Sequence, residues 1–307
     1  MDTPVLFLFF RRPQMAMRVF REIRKVQPKR LFLAADGPRE AIGGESELCS
    51  STRDQIESMI DWDCSVKRLY REKNLGCKNA VCSAIDWFFS QVEEGIILED
   101  DTLPSPAFFG FCNQMLSLYA KEPKVMAISG TNILVEWKSC AEDYIYSYYG
   151  GNWGWATWRR AWLLNDIKMS SWKRGRGIKQ ITKTLQCRTQ ARGLKKWFNT
   201  IDEGADTWDF QWFYTRLFHE GLSIVPTKNL ISNIGFGMDA THTLSQSKFA
   251  NLPHFNIQLP AKNNLSIKAE RNFDKKNAEE YGLIKNQSDT TESIFKKLIK
   301  YFTSVRL

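Results

Sequence analysis

Histidine is scarce, with three in 307 residues, and no two of the seven cysteines form a Cys-x-x-Cys pair. The usual spacings of zinc modules are therefore absent, and an odd, dispersed set of cysteines argues against a disulfide framework. A reducing, cytoplasmic setting is expected. No run of about 18 apolar residues occurs, so no segment is expected to span a bilayer. The apolar run Val5 to Phe10 follows Asp2 and ends at Arg11-Arg12-Pro13, too short and wrongly flanked for a secretory leader. It reads as a first strand.

Acidic residues are missing altogether between Asp166 and Asp202, where ten Lys or Arg residues concentrate the formal net charge of +9. This stretch should attract phosphates or anionic lipid. Zinc-finger spacing, a basic zipper and an aromatic ribonucleoprotein motif are all lacking, so no nucleic-acid partner is expected. With 43% hydrophobic and 13% aromatic residues the chain can bury a large core.

The first half alternates apolar runs with helical patterns, as a mostly parallel sheet covered by helices on both faces requires. Strands are expected at Val5–Phe10, Leu31–Ala35, Val66–Tyr70, Gly95–Leu98 and Val125–Ser129, and a short one at Leu222–Val225. Val19, Ile23 and Val26, and later Phe108, Cys112, Met115 and Tyr119, recur at helical spacing. A helical pattern runs from about Asp209 to Glu220. In open sheets of this kind ligands bind beyond the carboxyl ends of the strands. There stand Arg11-Arg12, Asp36, Asn74 to Lys78 and the triplet Glu99-Asp100-Asp101. Three adjacent carboxylates repel one another, and a divalent cation such as Mg²⁺ or Mn²⁺ relieves that repulsion with hard oxygen ligands. The alternative is a solvated acidic turn that caps the helix beginning near Pro106.

The sequence Ile97-Leu98-Glu99-Asp100-Asp101 followed by Pro104 to Phe109 resembles the Asp-x-Asp variant of GT-A fold glycosyltransferases, especially the Glu-Asp-Asp form of the N-acetylglucosaminyltransferase type I family. With Asp36-Gly37-Pro38-Arg39, Asn74-Leu75-Gly76-Cys77, Trp153 to Arg160, Trp208-Asp209-Phe210-Gln211-Trp212 and Thr241-His242-Thr243, the chain more closely resembles bacterial nucleotide-diphospho-sugar transferases related to glycosyltransferase family two. The likeness covers roughly residues 4 to 245. It implies a Rossmann-like α/β GT-A domain over residues 1–260, with a nucleotide-binding half (1–130) and an acceptor half (131–260). It also implies a metal-dependent, inverting hexosyltransferase that takes a nucleoside-diphosphate sugar, UDP-sugar favoured, and delivers it to a surface glycan or lipid-linked acceptor.

The resemblance makes Asp101 a metal ligand and His242 a second one. Glu99 and Asp100 face the donor's sugars, and Arg12, Asp36, Asn74, Gly76 and Lys78 line the nucleotide pocket. Asp209 becomes the base that removes the acceptor's proton, and Trp153 and Trp155 meet a sugar, with Trp158 and Trp162 in the core. Read as residues alone, Asp36 and Asn74 are also common turn formers. Asp206 and Asp209 could be a cap and a first-turn acid, and His242 a surface-loop histidine. A sugar nucleotidyltransferase is disfavoured, because Phe9 to Pro13 contains no glycine. A carbohydrate-binding protein on a degenerate fold stays open. Residues 261–307 read as a polar extension ending in a basic amphipathic helix at 291–307, suited either to the inner face of an anionic membrane or to packing on its own domain.

Overall fold

The computed structural model describes residues 1–139, 141–236 and 247–284. In chain order it contains β1 (Val5–Phe9), α1 (Pro13–Val26), β2 (Arg30–Ala35), α2 (Glu45–Ser58), β3 (Ser65–Tyr70), α3 (Gly76–Phe89), β4 (Glu94–Glu99), β5 (Thr102–Pro104), α4 (Pro106–Leu118) and β6 (Val125–Ser129). There follow β7 (Tyr144–Ser147), β8 (Trp155–Trp158), α5 (Arg159–Trp162), α6 (Ser170–Lys173), α7 (Gly177–Leu185), α8 (Arg188–Asp202), α9 (Asp209–Phe218), β9 (Leu222–Pro226), β10 (Ile231–Asn233) and α10 (Arg271–Glu280).

Eight strands form one sheet in the order β3-β2-β1-β4-β8-β6-β9-β7. β1 pairs in parallel with β2 and β4, β2 with β3, and β6 with β9, whereas β8 and β7 run antiparallel to their neighbours. β1 is buried along its whole length and β2 beyond its first residue, which is why both read as unbroken apolar runs rather than alternating ones. One face packs on α1 and α4 through Val19, Phe20, Phe108 and Met115, and the other on α3 through Ile85 and Phe88. α1 starts with Pro13, whose ring fits the first helical position, and ends at Gln27 in a left-handed conformation with Arg24 and Lys25 in its last turn. The mostly parallel, doubly covered α/β sheet expected from the sequence is thus the observed architecture.

Two features differ from the sequence reading. Trp155–Trp158 is a central strand, inserted antiparallel between β4 and β6; its four residues are all buried, so no alternation marks it. The basic stretch is helical: α6, α7 and α8 join α9 around Trp172, Ile181, Leu194, Phe198 and Tyr214, with the cations on the outer surface.

Residues beyond 260 also pack on the main body. Ala261 lies in the largest core cluster and exchanges two 2.8 Å hydrogen bonds with the Gln114 side chain. Phe273 and Ala278 of α10 are buried. Their helical spacing is hidden among Asn and Lys. The remainder of the extension, including the helix expected at 291–307, lies outside the described residues, as does His242. No described helix is long and apolar enough to cross a membrane, and the six described cysteines are free.

Candidate functional site

Parallel pairing brings the carboxyl ends of β1 and β4 together, since Leu8 stands opposite Glu99. Phe10 to Arg12 therefore meet the acidic triplet. The Arg12 guanidinium bonds both oxygens of Asp100 and reaches Asp101 Oδ2 at 3.1 Å, and the Phe10 backbone N–H donates to Asp100 Oδ2 at 3.3 Å. Burial works against the Arg12 charge, but Asp100 and Asp101 outweigh it and hold the guanidinium well above its ordinary pKa.

The turn after β4 is tied by Thr102, whose hydroxyl accepts from Glu99 N–H at 2.9 Å and donates to the Glu99 carbonyl at 3.0 Å. The triplet does not cap α4. Ser105 precedes that helix without a side-chain capping bond. Burial pushes the Glu99 carboxyl well above the usual range, and the charges of Asp101, Asp209 and Asp100 push it further. Burial raises Asp100 too, with Arg12 opposing it. β10 pairs with β5 and carries the chain past Asp101: Ile234 N–H donates to the Asp101 carbonyl at 2.8 Å. A Cβ on Gly235 would stand 2.2 Å from Asp101 Oδ2, so only glycine allows this approach.

A second set of groups comes from the ends of β2 and β3. Asp36 accepts from the backbone N–H groups of Gly37 at 2.9 Å and Leu75 at 3.0 Å, and burial raises its carboxyl above the ordinary value. Asn74 donates to the Gly37 carbonyl at 2.9 Å and accepts from Gly76 N–H at 3.1 Å. Both side chains thus stitch the two loops together, the turn chemistry their residue types favour. Asn74 also borders a cleft lined by Pro38, Arg39, Glu40 and Lys73. Lys78 lies half-buried in the first turn of α3.

Asp206 does not cap its own helix. Its carboxylate crosses to the start of α3 and accepts from Cys77 N–H at 3.0 Å and Lys78 N–H at 2.9 Å, filling two of the orphan donors of that helix. Gly76, at φ +77°, would place a Cβ 2.9 Å from Asp206 Oδ2. Asp206 thereby fixes the segment leading into α9 against the start of α3. Asp206→Ala should cost about 1 kcal/mol of stability, as loss of a capping acceptor does, read as a lower urea midpoint at unchanged slope; an unmoved midpoint would refute the cap.

α9 opens with Asp209 in its first turn, the end at which a helix favours a negative charge. The Thr207 hydroxyl donates to Asp209 Oδ1, and Asn152 Nδ2 reaches the Asp209 carbonyl at 3.4 Å. Burial, followed by the charges of Glu99, Asp209 and Asp206, lifts the Cys77 thiol well above its ordinary pKa. Trp153 is half-buried at the same end of the sheet, edge-on to Phe236 with ring centres 5.8 Å apart.

Trp155 is a correction. It is 1% exposed and stacked on Trp208, with Trp162 and Trp212 against it, so its faces are covered by other indoles and cannot meet a sugar. Trp158 and Trp162 are in the core, as expected.

Sequence reading missed Asp206 as the cap of α3, Gly235 as the residue against Asp101, and Arg216. Buried in α9, Arg216 donates to the Gly150 carbonyl at 2.7 Å and to the Ser223 hydroxyl, holding the loop that leads to Trp153. No local signal marks these contacts, because each joins segments far apart in the chain.

Among the described residues no group of three or more His, Cys, Asp or Glu side chains is arranged to hold a metal ion. The charges of Asp101, Asp209 and Asp100 all act on Glu99, and among the described residues the ion pairs of the triplet are with Arg12.

No protein-family model matches the chain, and no curated protein matches it in sequence. Solved structures do match. A mannosyltransferase, PcManGT from Pyrobaculum calidifontis in complex with GDP-Man and Mn2+, is 13% identical, with a TM-score of 0.37 over 72% of this chain and 70% of that one. A UDP-glucose pyrophosphorylase complexed with UDP-glucose is 12% identical, with a TM-score of 0.24 over 49% of this chain and 64% of that one.

Proposed function

We propose that this chain is a glycosyltransferase that moves a sugar from a nucleoside-diphosphate sugar, a UDP-sugar in the first instance, to a hydroxyl of a surface glycan or lipid-linked acceptor at the inner face of a membrane. The observation that carries this reading is the meeting of Arg12 with Asp100 and Asp101 at the carboxyl ends of parallel strands, where the charge of Asp209 also acts on Glu99.

In this reading Asp101 holds Mn²⁺ or Mg²⁺, with His242 as a second ligand. The cation, when bound, supplies positive charge to the departing diphosphate. Arg12 keeps Asp100 and Asp101 in place, and Glu99 and Asp100 face the sugars. Asp36, Asn74, Gly76 and Lys78 border the nucleotide side, where Asp36 and Asn74 also shape the loops. Trp153, with Phe236 at its edge, offers an aromatic face at the rim.

Asp209 takes the acceptor hydroxyl's proton while the acceptor oxygen bonds to the anomeric carbon. The bond from that carbon to the diphosphate breaks, and the diphosphate leaves with the electron pair. Inversion follows from a single displacement. Incubating the protein with nucleoside-diphosphate sugars and Mn²⁺ tests the reading. Slow release of the nucleoside diphosphate supports it, and failure to bind any such donor with or without metal rejects it.

A further inference from the structure

The basic stretch takes no part in the carboxylate site. With the C-terminal end of α9 it encloses a separate cavity of about 240 Å³, lined among others by Arg174, Arg176, His219, Ser171, Tyr214 and Asp166. Asp209 lies at the opposite end of α9, roughly 15 Å away at 1.5 Å per residue.

The charges in this region are not equally committed. Lys173 pairs with Asp202 at 3.3 Å and Lys183 with Glu220 at 2.9 Å, whereas Arg174 and Arg176 form no ion pair among the described residues. Asp166 is the acid in the wall, and its carboxylate already accepts from Ser170 N–H at 2.6 Å and from the Ser170 hydroxyl at 3.2 Å. The hydroxyls of Ser171 and Tyr214, 2.6 Å apart, are buried. α7 begins beside the cavity with no side-chain cap and no acid in its first turn. Two guanidinium groups without an ion pair among the described residues line one hollow, and a helix without a side-chain cap starts next to Arg176 in its wall, an arrangement that suits a phosphate.

Apolar surface lies next to it. Leu163 is 74% exposed and Leu164 43%, three and two residues before Asp166. Exposed leucines close in the chain to a cavity that holds two unpaired arginines complement the boundary of an anionic bilayer, where apolar side chains enter the acyl region and cations meet headgroup phosphates.

We propose that this face docks on an anionic membrane and that its cavity takes the phosphate of a phospholipid headgroup. The docking is independent of the transfer reading, since donor hydrolysis in solution needs no vesicle. Flotation of the full chain with phosphatidylcholine vesicles, with and without phosphatidylglycerol, tests it. The wild type binds only the phosphatidylglycerol vesicles. The R174A/R176A double variant binds them about tenfold or more weakly, and L163S/L164S also weakens binding, both with donor hydrolysis at the wild-type rate.

Indifference of the wild type to phosphatidylglycerol overturns the proposal, as does undiminished binding by R174A/R176A. Displacement of nothing but free inorganic phosphate from the cavity, with L163S/L164S floating as the wild type does, assigns a soluble-phosphate site instead and equally overturns it.

Discussion

Asp209→Asn should lower turnover by roughly 10²–10⁴-fold, the usual worth of a positioned general base, while leaving donor affinity close to wild type. The carboxamide keeps the size of the side chain, and its oxygen can still accept from the Thr207 hydroxyl. The helix start at Asp209 and the contact of Asn152 with the Asp209 carbonyl involve backbone atoms that the substitution does not touch. What disappears is the ability to take a proton. Steady-state kinetics with a competent acceptor, beside donor binding measured separately, distinguish this outcome from general damage. Unchanged turnover would remove Asp209 from the base role, and weakened donor binding in step with turnover would assign it to positioning.

A second large effect concerns stability and pH. Asp274, on α10, is 1% exposed; its Oδ1 accepts from the Ser147 hydroxyl and from Tyr148 N–H at 3.3 Å, and its Oδ2 has no hydrogen-bond partner. Burial raises its pKa to about 7. A carboxyl that binds its proton more tightly when folded stabilises the fold at low pH and loses that contribution as pH rises through the folded value. Against an unfolded value near 3.9, the loss between about pH 5 and pH 8 is roughly 2–3 kcal/mol.

Asp274→Asn removes the titration and keeps an acceptor for Ser147 and Tyr148. The stability of the wild type minus that of the variant should therefore fall by this amount over the same range, measured by urea denaturation. A constant difference would show that Asp274 stays ionised in the folded protein. The effect also bears on the packing of residues beyond 260, because Asp274 joins α10 to β7.

The parallel half of the fold was legible because β1, β2 and β4 are short, largely apolar and largely buried, and because Pro13 and Pro106 mark helix starts. Strand-end logic also brings Arg12 and the triplet together, and Arg12 forms ion pairs with Asp100 and Asp101. The second half was less legible for a physical reason. β8 is an antiparallel insertion in the middle of the sheet, so Trp155 looks in sequence like a member of an irregular aromatic loop.

Asp206 reads locally as the cap of the helix three residues on, yet it caps α3 from 129 positions away. Asn74 and Asp36 were ambiguous between turn and ligand, and the structure gives both of them turn bonds. Composition also hid α10, whose buried Phe273 and Ala278 stand among charged and amide residues.

The central claim is that the acidic triplet, through Asp101, binds a donor's diphosphate by way of a divalent cation. Calorimetric titration of UDP-sugars into the wild type and Asp101→Ala, each with Mn²⁺ and with a chelator, tests it most directly. The account predicts that Mn²⁺ strengthens donor binding to the wild type and that Asp101→Ala abolishes this metal-dependent gain. Equal donor affinity in all four titrations would contradict it.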